Sequence, residues 1–125
     1  MIKLPLSDQE LSVYRATARR RRERDREAEQ ARRDVAWAAA RRAADLLRAQ
    51  YNATRVVVFG SLAHGGWFTP WSDVDIAAWG LAERDSLFAL GAVMDLDARV
   101  EVNLVDVNTC TPELLAAIER DGIEL

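Results

Sequence analysis

The stretch VVVFGSLAHGGWFTPWSDVDIAAWG, residues Val56 to Gly80, decides the fold. Together with Arg55 it opens as RVVVF, an unbroken β-branched run that stops at a glycine, which is the pattern of a buried strand. Gly60-Ser61 follows, then a loop holding Gly65, Gly66, Trp67, Phe68 and Trp71, then Asp73-Val74-Asp75 at the mouth of a second apolar run, Val74–Trp79. Side chains two apart on a strand share a face, so Asp73 and Asp75 present their carboxylates together. Two such charges repel unless a cation sits between them, and Mg2+ commonly binds one or two carboxylates together with substrate phosphates. A glycine directly after a buried strand lets a phosphate approach the backbone, where the Ser61 hydroxyl and the following amides can donate to it. Taken singly, the aspartates read as a solvated turn and Ser61 as a helix cap. The joint pattern of strand, Gly-Ser, eleven residues and D-x-D points to a metal-nucleotide site.

Upstream, Ser7-Asp8-Gln9-Glu10 is a capping-box pattern, and no glycine or proline occurs from there to Gln50. One long helix, or two with a frayed joint, is expected. Its middle, RRRRERDREAEQARRD, is almost entirely polar and is expected to bury no face in its own domain. From Val35 onward, Trp37, Ala40, Ala44 and Leu47 share one side with Ala39, Ala43 and Leu46 beside them, a stripe able to pack closely on a sheet. The expected division is a charged helical extension over 1–34 and a domain over 35–125.

Downstream of the D-x-D strand, Asp85–Leu96 has Leu87, Leu90 and Met94 at helical spacing. Arg99–Val107 alternates as a third strand, with Val100, Val102 and Leu104 on one side and Glu101, Asn103 and Val105 on the other. Thr111-Pro112-Glu113 opens a helix that runs to Arg120 and stops at Gly122, and Ile123–Leu125 can add an edge strand. The order is α-β-(α)-β-α-β-α-(β), an α/β (α+β) architecture of three to four strands with helices against the sheet.

With 125 residues there is room for about one domain. The absence of a long apolar run or a signal-like N-terminus makes a cytoplasmic protein the expectation. Cys110 and His64 are the only residues of their kinds, which excludes a cysteine-rich zinc site and histidine-rich metal chemistry. Cys110 has no neighbour in sequence that would activate it and reads as inert. His64 reads as shaping the Gly65-Gly66 turn, with phosphate contact as the sharper alternative. Trp67, Phe68 and Trp71 read as packing or interface residues, although one ring there could stack on a nucleobase. Residues 1–50 carry thirteen Lys/Arg against eight Asp/Glu, whereas 51–125 carry four against twelve, so the two parts should do different work. The interleaved acids and the acidic remainder argue against nucleic acid as the partner of the arginine run and favour a protein partner.

FGSLAHGGWFTPWSDVDIAAWG resembles the G-S-x10-D-x-D signature of the DNA polymerase β-type nucleotidyltransferase superfamily, in its minimal branch, with one extra residue in the spacer. The lead helix, the strand VEVNLVDV and the ending TPELLAAIERDGIEL are also similar to minimal nucleotidyltransferases. The resemblance implies the nucleotidyltransferase fold, a small mixed sheet flanked by helices, and Mg2+-dependent transfer of a nucleoside monophosphate from ATP. By position it implies that Gly60, Ser61 and Ser72 bind the nucleotide and that Asp73 and Asp75 are catalytic metal ligands. Members commonly read VDLVD at the third strand, where this chain has Val102-Asn103-Leu104-Val105-Asp106, so Asn103 replaces an expected aspartate. Asn103 can ligate a metal through its carbonyl but cannot act as a base, and Glu101, two residues earlier on the same face, is the candidate substitute. The resemblance further implies an antitoxin paired with a HEPN-domain ribonuclease toxin, which it neutralises by transferring AMP to a tyrosine. The alternatives are neutralisation by binding alone and, more remotely, nucleotide transfer to a small molecule such as an aminoglycoside.

Overall fold

The computed structural model describes residues 5–125, and the part of the expected 1–34 extension that falls on residues 1–4 lies outside them. Helix α1 spans Asp8–Tyr51 as one unbroken element. Ser7 Oγ caps its start by accepting from the Glu10 amide at 3.1 Å, and Asn52 ends it in the left-handed conformation at φ 58°. Strand β1 (Arg55–Phe59), the single turn α2 (Ser61–His64) and strand β2 (Val74–Trp79) follow. A 3-10 turn at Glu83–Asp85 leads into α3 (Ser86–Met94), then β3 (Val102–Asp106), α4 (Pro112–Asp121) and β4 (Ile123–Glu124) complete the chain. Both ends of the region around α3 are trimmed relative to the sequence reading. Asp97 binds the backbone and guanidinium of Arg99, and those contacts hold Asp97–Arg99 out of the β3 ladder.

The sheet has the order β3-β2-β1-β4 and is mixed: β1 runs antiparallel to β2 and β4, while β2 and β3 run parallel. The parallel pair needs a crossover, which α3 supplies. One sheet face, carrying Val56, Val58, Val74, Ile76, Ala78, Val102 and Leu104, packs on α1 and α3. The other carries Val57 and Ala77 under Ile118 of α4, with Phe59, Trp79 and Val105 around them. Helix α1 meets the sheet through Ala36, Ala39, Ala40, Ala43 and Ala44, all fully buried. Side chains this small let the helix backbone approach the strands closely. The return into β4 depends on Gly122, where a Cβ would lie 2.3 Å from Val57 Cγ1 and 2.5 Å from the Ile118 carbonyl oxygen.

The helix read over Asp85–Leu96 is present, with its buried face now visible, and one expectation changes, that of the polar segment of α1. The helical stripe Leu87, Leu90 and Met94 faces outward, Leu87 at 82% exposure, and α3 instead buries Ala89 and Val93, because its contact with α1 and β3 admits only the smaller side chains. The polar segment of α1 does bury a face at its last turn: Glu29 is buried, and Arg32 and Arg33 are half-buried against the loop before β2.

Candidate functional site

Three segments converge at the end of the sheet where β1 finishes and β2 and β3 begin. Asp75 pairs in register with Phe59 on β1 and with Asn103 on β3, and Asp73 lies just ahead of β2 on the same face. That face is the one covered by α4, whose Ile118 packs on Val57 and Ala77, and Asp73 and Asp75 on the same face are only partly buried. Asn103 Nδ2 donates to Asp73 Oδ2 at 3.3 Å. Burial pushes the Asp75 carboxyl above its ordinary value; the Asn103 amide pulls it down and the Asp73 charge adds to the rise. A divalent cation would reverse this balance by supplying the positive charge the pair lacks.

Gly60 backs onto Asp75. Its backbone has φ 72° and ψ −148°, and a Cβ there would sit 2.6 Å from Asp75 Oδ2. No side chain could occupy that position without moving the carboxylate, so the glycine both turns the chain and leaves Asp75 open. Ser61 follows at the surface as the first residue of α2, and the Gly60 carbonyl accepts from the His64 amide at 3.0 Å. His64 ends that turn and Gly65, at φ 72°, reverses the chain as the sequence suggested.

The structure therefore brings Gly60, Asp73, Asp75 and Asn103 together. Ser72 stands beside them, with its hydroxyl accepting from the Thr69 amide at 2.9 Å and paired with Thr69 Oγ1 at 3.0 Å, so it shapes the turn that delivers Asp73. Glu101 is exposed, and its carbonyl rather than its carboxylate reaches β2, accepting from the Val74 amide at 2.9 Å. Among the described residues no group of three acidic, histidine or cysteine side chains is placed to hold an ion. Asp73 and Asp75 offer the carboxylate oxygens that hard cations take, while Asn103 turns its amide nitrogen toward Asp73. Of the loop aromatics, Phe68 is buried at 2% exposure as a packing anchor, whereas Trp67 and Trp71 are open, Trp71 at 85%.

Sequence reasoning missed a second group. Glu29 Oε1 accepts from the Phe68 amide at 3.1 Å and from Arg33 Nε at 2.6 Å, Arg32 Nε donates to the Phe68 carbonyl at 3.0 Å, and Arg33 Nη2 donates to the Gly66 carbonyl. The Phe68 amide first, then the Arg33 guanidinium, hold the Glu29 carboxyl below its usual range against the opposing effect of burial. The only signal in the sequence was Glu29–Arg33 at helical spacing, which also describes an ordinary surface ion pair.

A mixed sheet of this order, with a Gly-Ser turn and a D-x-D pair at one end, defines a nucleotidyltransferase fold. In its fold the chain is similar to a minimal nucleotidyltransferase. It shares 29% identity and a TM-score of 0.51 with the structure of a proposed minimal nucleotidyltransferase, covering 79% of this chain and 94% of that one. It is also similar to a toxin-antitoxin mutant, MntA-HpeT, carrying two aspartate-to-glutamate changes two positions apart, at 18% identity and TM-score 0.55 over 68% of this chain and 70% of that one. A third similar structure is a toxin-antitoxin crystallised with AMP-PNP, at 23% identity and TM-score 0.54 over 64% and 66%. No family model matches the chain, and no curated protein does.

Proposed function

We propose that the chain is the antitoxin of a pair, a protein adenylyltransferase that moves AMP from ATP to a tyrosine of a HEPN ribonuclease toxin and so neutralises it. The observation that carries this reading is the pair Asp73 and Asp75 on one face at the sheet end, with Gly60 held clear of Asp75 at positive φ. Asp73, Asp75 and the carbonyl of Asn103 would hold Mg2+, and Gly60, Ser61 and Ser72 would receive the nucleotide. The ion would supply positive charge where the phosphates gather negative charge. The neighbours lend support of two kinds: two are toxin-antitoxin structures, and one of these was crystallised with the ATP analogue AMP-PNP.

In the transfer, the acceptor hydroxyl oxygen attacks the α-phosphorus of ATP, the bond from that phosphorus to the leaving oxygen breaks, and pyrophosphate departs. The hydroxyl proton needs a taker, and Asn103 has no basic atom to offer. Glu101 fills that role if its side chain turns inward on substrate binding, otherwise water does.

The same amide favours a second reading, in which the chain neutralises its partner by binding alone, since a third charge is missing beside Asp73 and Asp75. Incubation of the protein with its partner, Mg2+ and labelled ATP separates the two. A mass gain of AMP on the partner that disappears in Asp73→Asn supports transfer. Neutralisation that survives both Asp73→Asn and Asp75→Asn overturns it in favour of binding. Loss of transfer in Glu101→Gln assigns the proton to that carboxylate, and full transfer assigns it to water.

A further inference from the structure

The buried carboxylate of Glu29 lies outside the site, on the helix that otherwise runs free toward the N-terminus, and no step above uses it. Its partners are the Phe68 amide, in the loop between Gly60-Ser61 and Asp73, and Arg33 Nε of its own helix. The loop is gripped on both sides of Phe68, through the amide by Glu29 and through the carbonyl by Arg32, and again at the Gly66 carbonyl by Arg33. From Phe68 only the Thr69–Ser72 turn intervenes before Asp73. Asp73 stands between that turn and β2, so its position depends on where the turn is anchored as well as on the ladder that Val74 enters opposite Val102. Phe68 anchors the head of the turn in the core, but beyond it a cavity of about 200 Å3 lies between α1 and the loop, lined by Ala31, Arg32, Val35, Thr69 and Ser72 among others.

We infer that Glu29, supported by Arg33, is a positioning residue of the candidate nucleotide site: it holds from α1 the loop that carries Asp73, and thereby sets the spacing of the carboxylate pair. The inference rests on the nucleotide reading of the site. The Glu29 oxygen accepts from the loop amide and from Arg33 Nε at once, while Arg33 Nη2 reaches the Gly66 carbonyl, so one side chain ties both grips together.

The test measures two quantities on the intact chain: amide hydrogen exchange over residues 66–72, and the dissociation constant for AMP-PNP with Mg2+. Glu29→Ala should raise both by about tenfold, the loss expected when one hydrogen bond to a charged group is removed. Glu29→Gln, which keeps a carbonyl acceptor for Phe68, should recover most of the nucleotide affinity. Faster loop exchange with unchanged affinity would reduce Glu29 to a structural role, and unchanged exchange would remove the latch altogether. Should Glu29→Ala not fold, Arg33→Ala is read in the same way. Failure of the wild-type chain to bind AMP-PNP overturns the nucleotide reading and the positioning role with it, while the exchange result still reports whether the loop hangs on Glu29.

Discussion

At Asn103 the chain places an amide beside two carboxylates that already repel each other. Nδ2 donates to Asp73, and parallel pairing sets Asn103 next to Asp75, so one neutral side chain eases a crowding of negative charge. This makes Asn103→Asp an informative change. Without metal, a third carboxylate a few ångströms from the other two should destabilise the protein by about 1–3 kcal/mol, since like charges at such distances cost that much at protein-surface dielectrics. Mg2+ should recover that loss, so the thermal midpoint of the variant should rise with added Mg2+ far more than that of the wild type. Equal shifts in both proteins would count against cation binding at this pair. The departure at Asn103 was visible in the sequence through the resemblance to the VDLVD of minimal nucleotidyltransferases, and strand alternation put Asn103 and Glu101 on one face. The exposed place of Glu101 was not, because it depends on where β3 begins, and β3 begins only at Val102.

Among the elements, the segment from α3 to β3 is held to α1 through Asp97. Its side chain, 4% exposed, is paired with Arg99 at 2.9 Å and with Arg42 of α1 at 3.5 Å. The Arg99 hydrogen bonds, first from its side chain and then from its backbone, lower the Asp97 carboxyl from 3.8 to about 2. A carboxyl depressed by folding contributes stability that is complete above its unfolded value and is lost as pH falls through the folded one. The stability difference between wild type and Asp97→Asn, measured by urea unfolding, should therefore be constant above about pH 4 and should shrink between about pH 4 and pH 2. A difference that persists undiminished at pH 2 would deny Asp97 this role. The elements themselves were largely legible: β1, β2 and α4 announce themselves by β-branched runs and by a Thr-Pro-Glu cap. Helix α3 exposed the limit of periodicity, since Leu87, Leu90 and Met94 mark a helix face as well as Ala89 and Val93 do, and only the width of the gap over α1 and β3 selects between them.

Across the whole molecule the charge divides as the chain does, basic along α1 and acidic through the sheet domain. The 44 residues of α1 extend about 66 Å at 1.5 Å per residue. No residue from Asp8 to Ala28 is buried, so the helix contributes to the core only from Glu29 onward. That a helix would form here followed from the missing glycines and prolines. That its polar run would end by gripping a loop did not, because Glu29 and Phe68 lie 39 residues apart and neither carries a mark of the other. A truncation lacking residues 1–22 keeps six helical residues ahead of Glu29 and removes no buried residue among those described. Its domain should unfold within about 0.5 kcal/mol of the full chain, the range of surface changes that touch nothing. Its hold on a partner should weaken if the arginine run meets a protein partner, as its charge pattern suggests. The segment Arg15–Arg22 carries five arginines and no acid, so the lost part of the affinity should be the part that declines with added salt. Titration of both chains against the partner at low and high ionic strength checks this. Equal affinities and equal salt slopes would assign the whole interface to the sheet domain, and a truncated chain that no longer folds would show that the arm supports the domain after all.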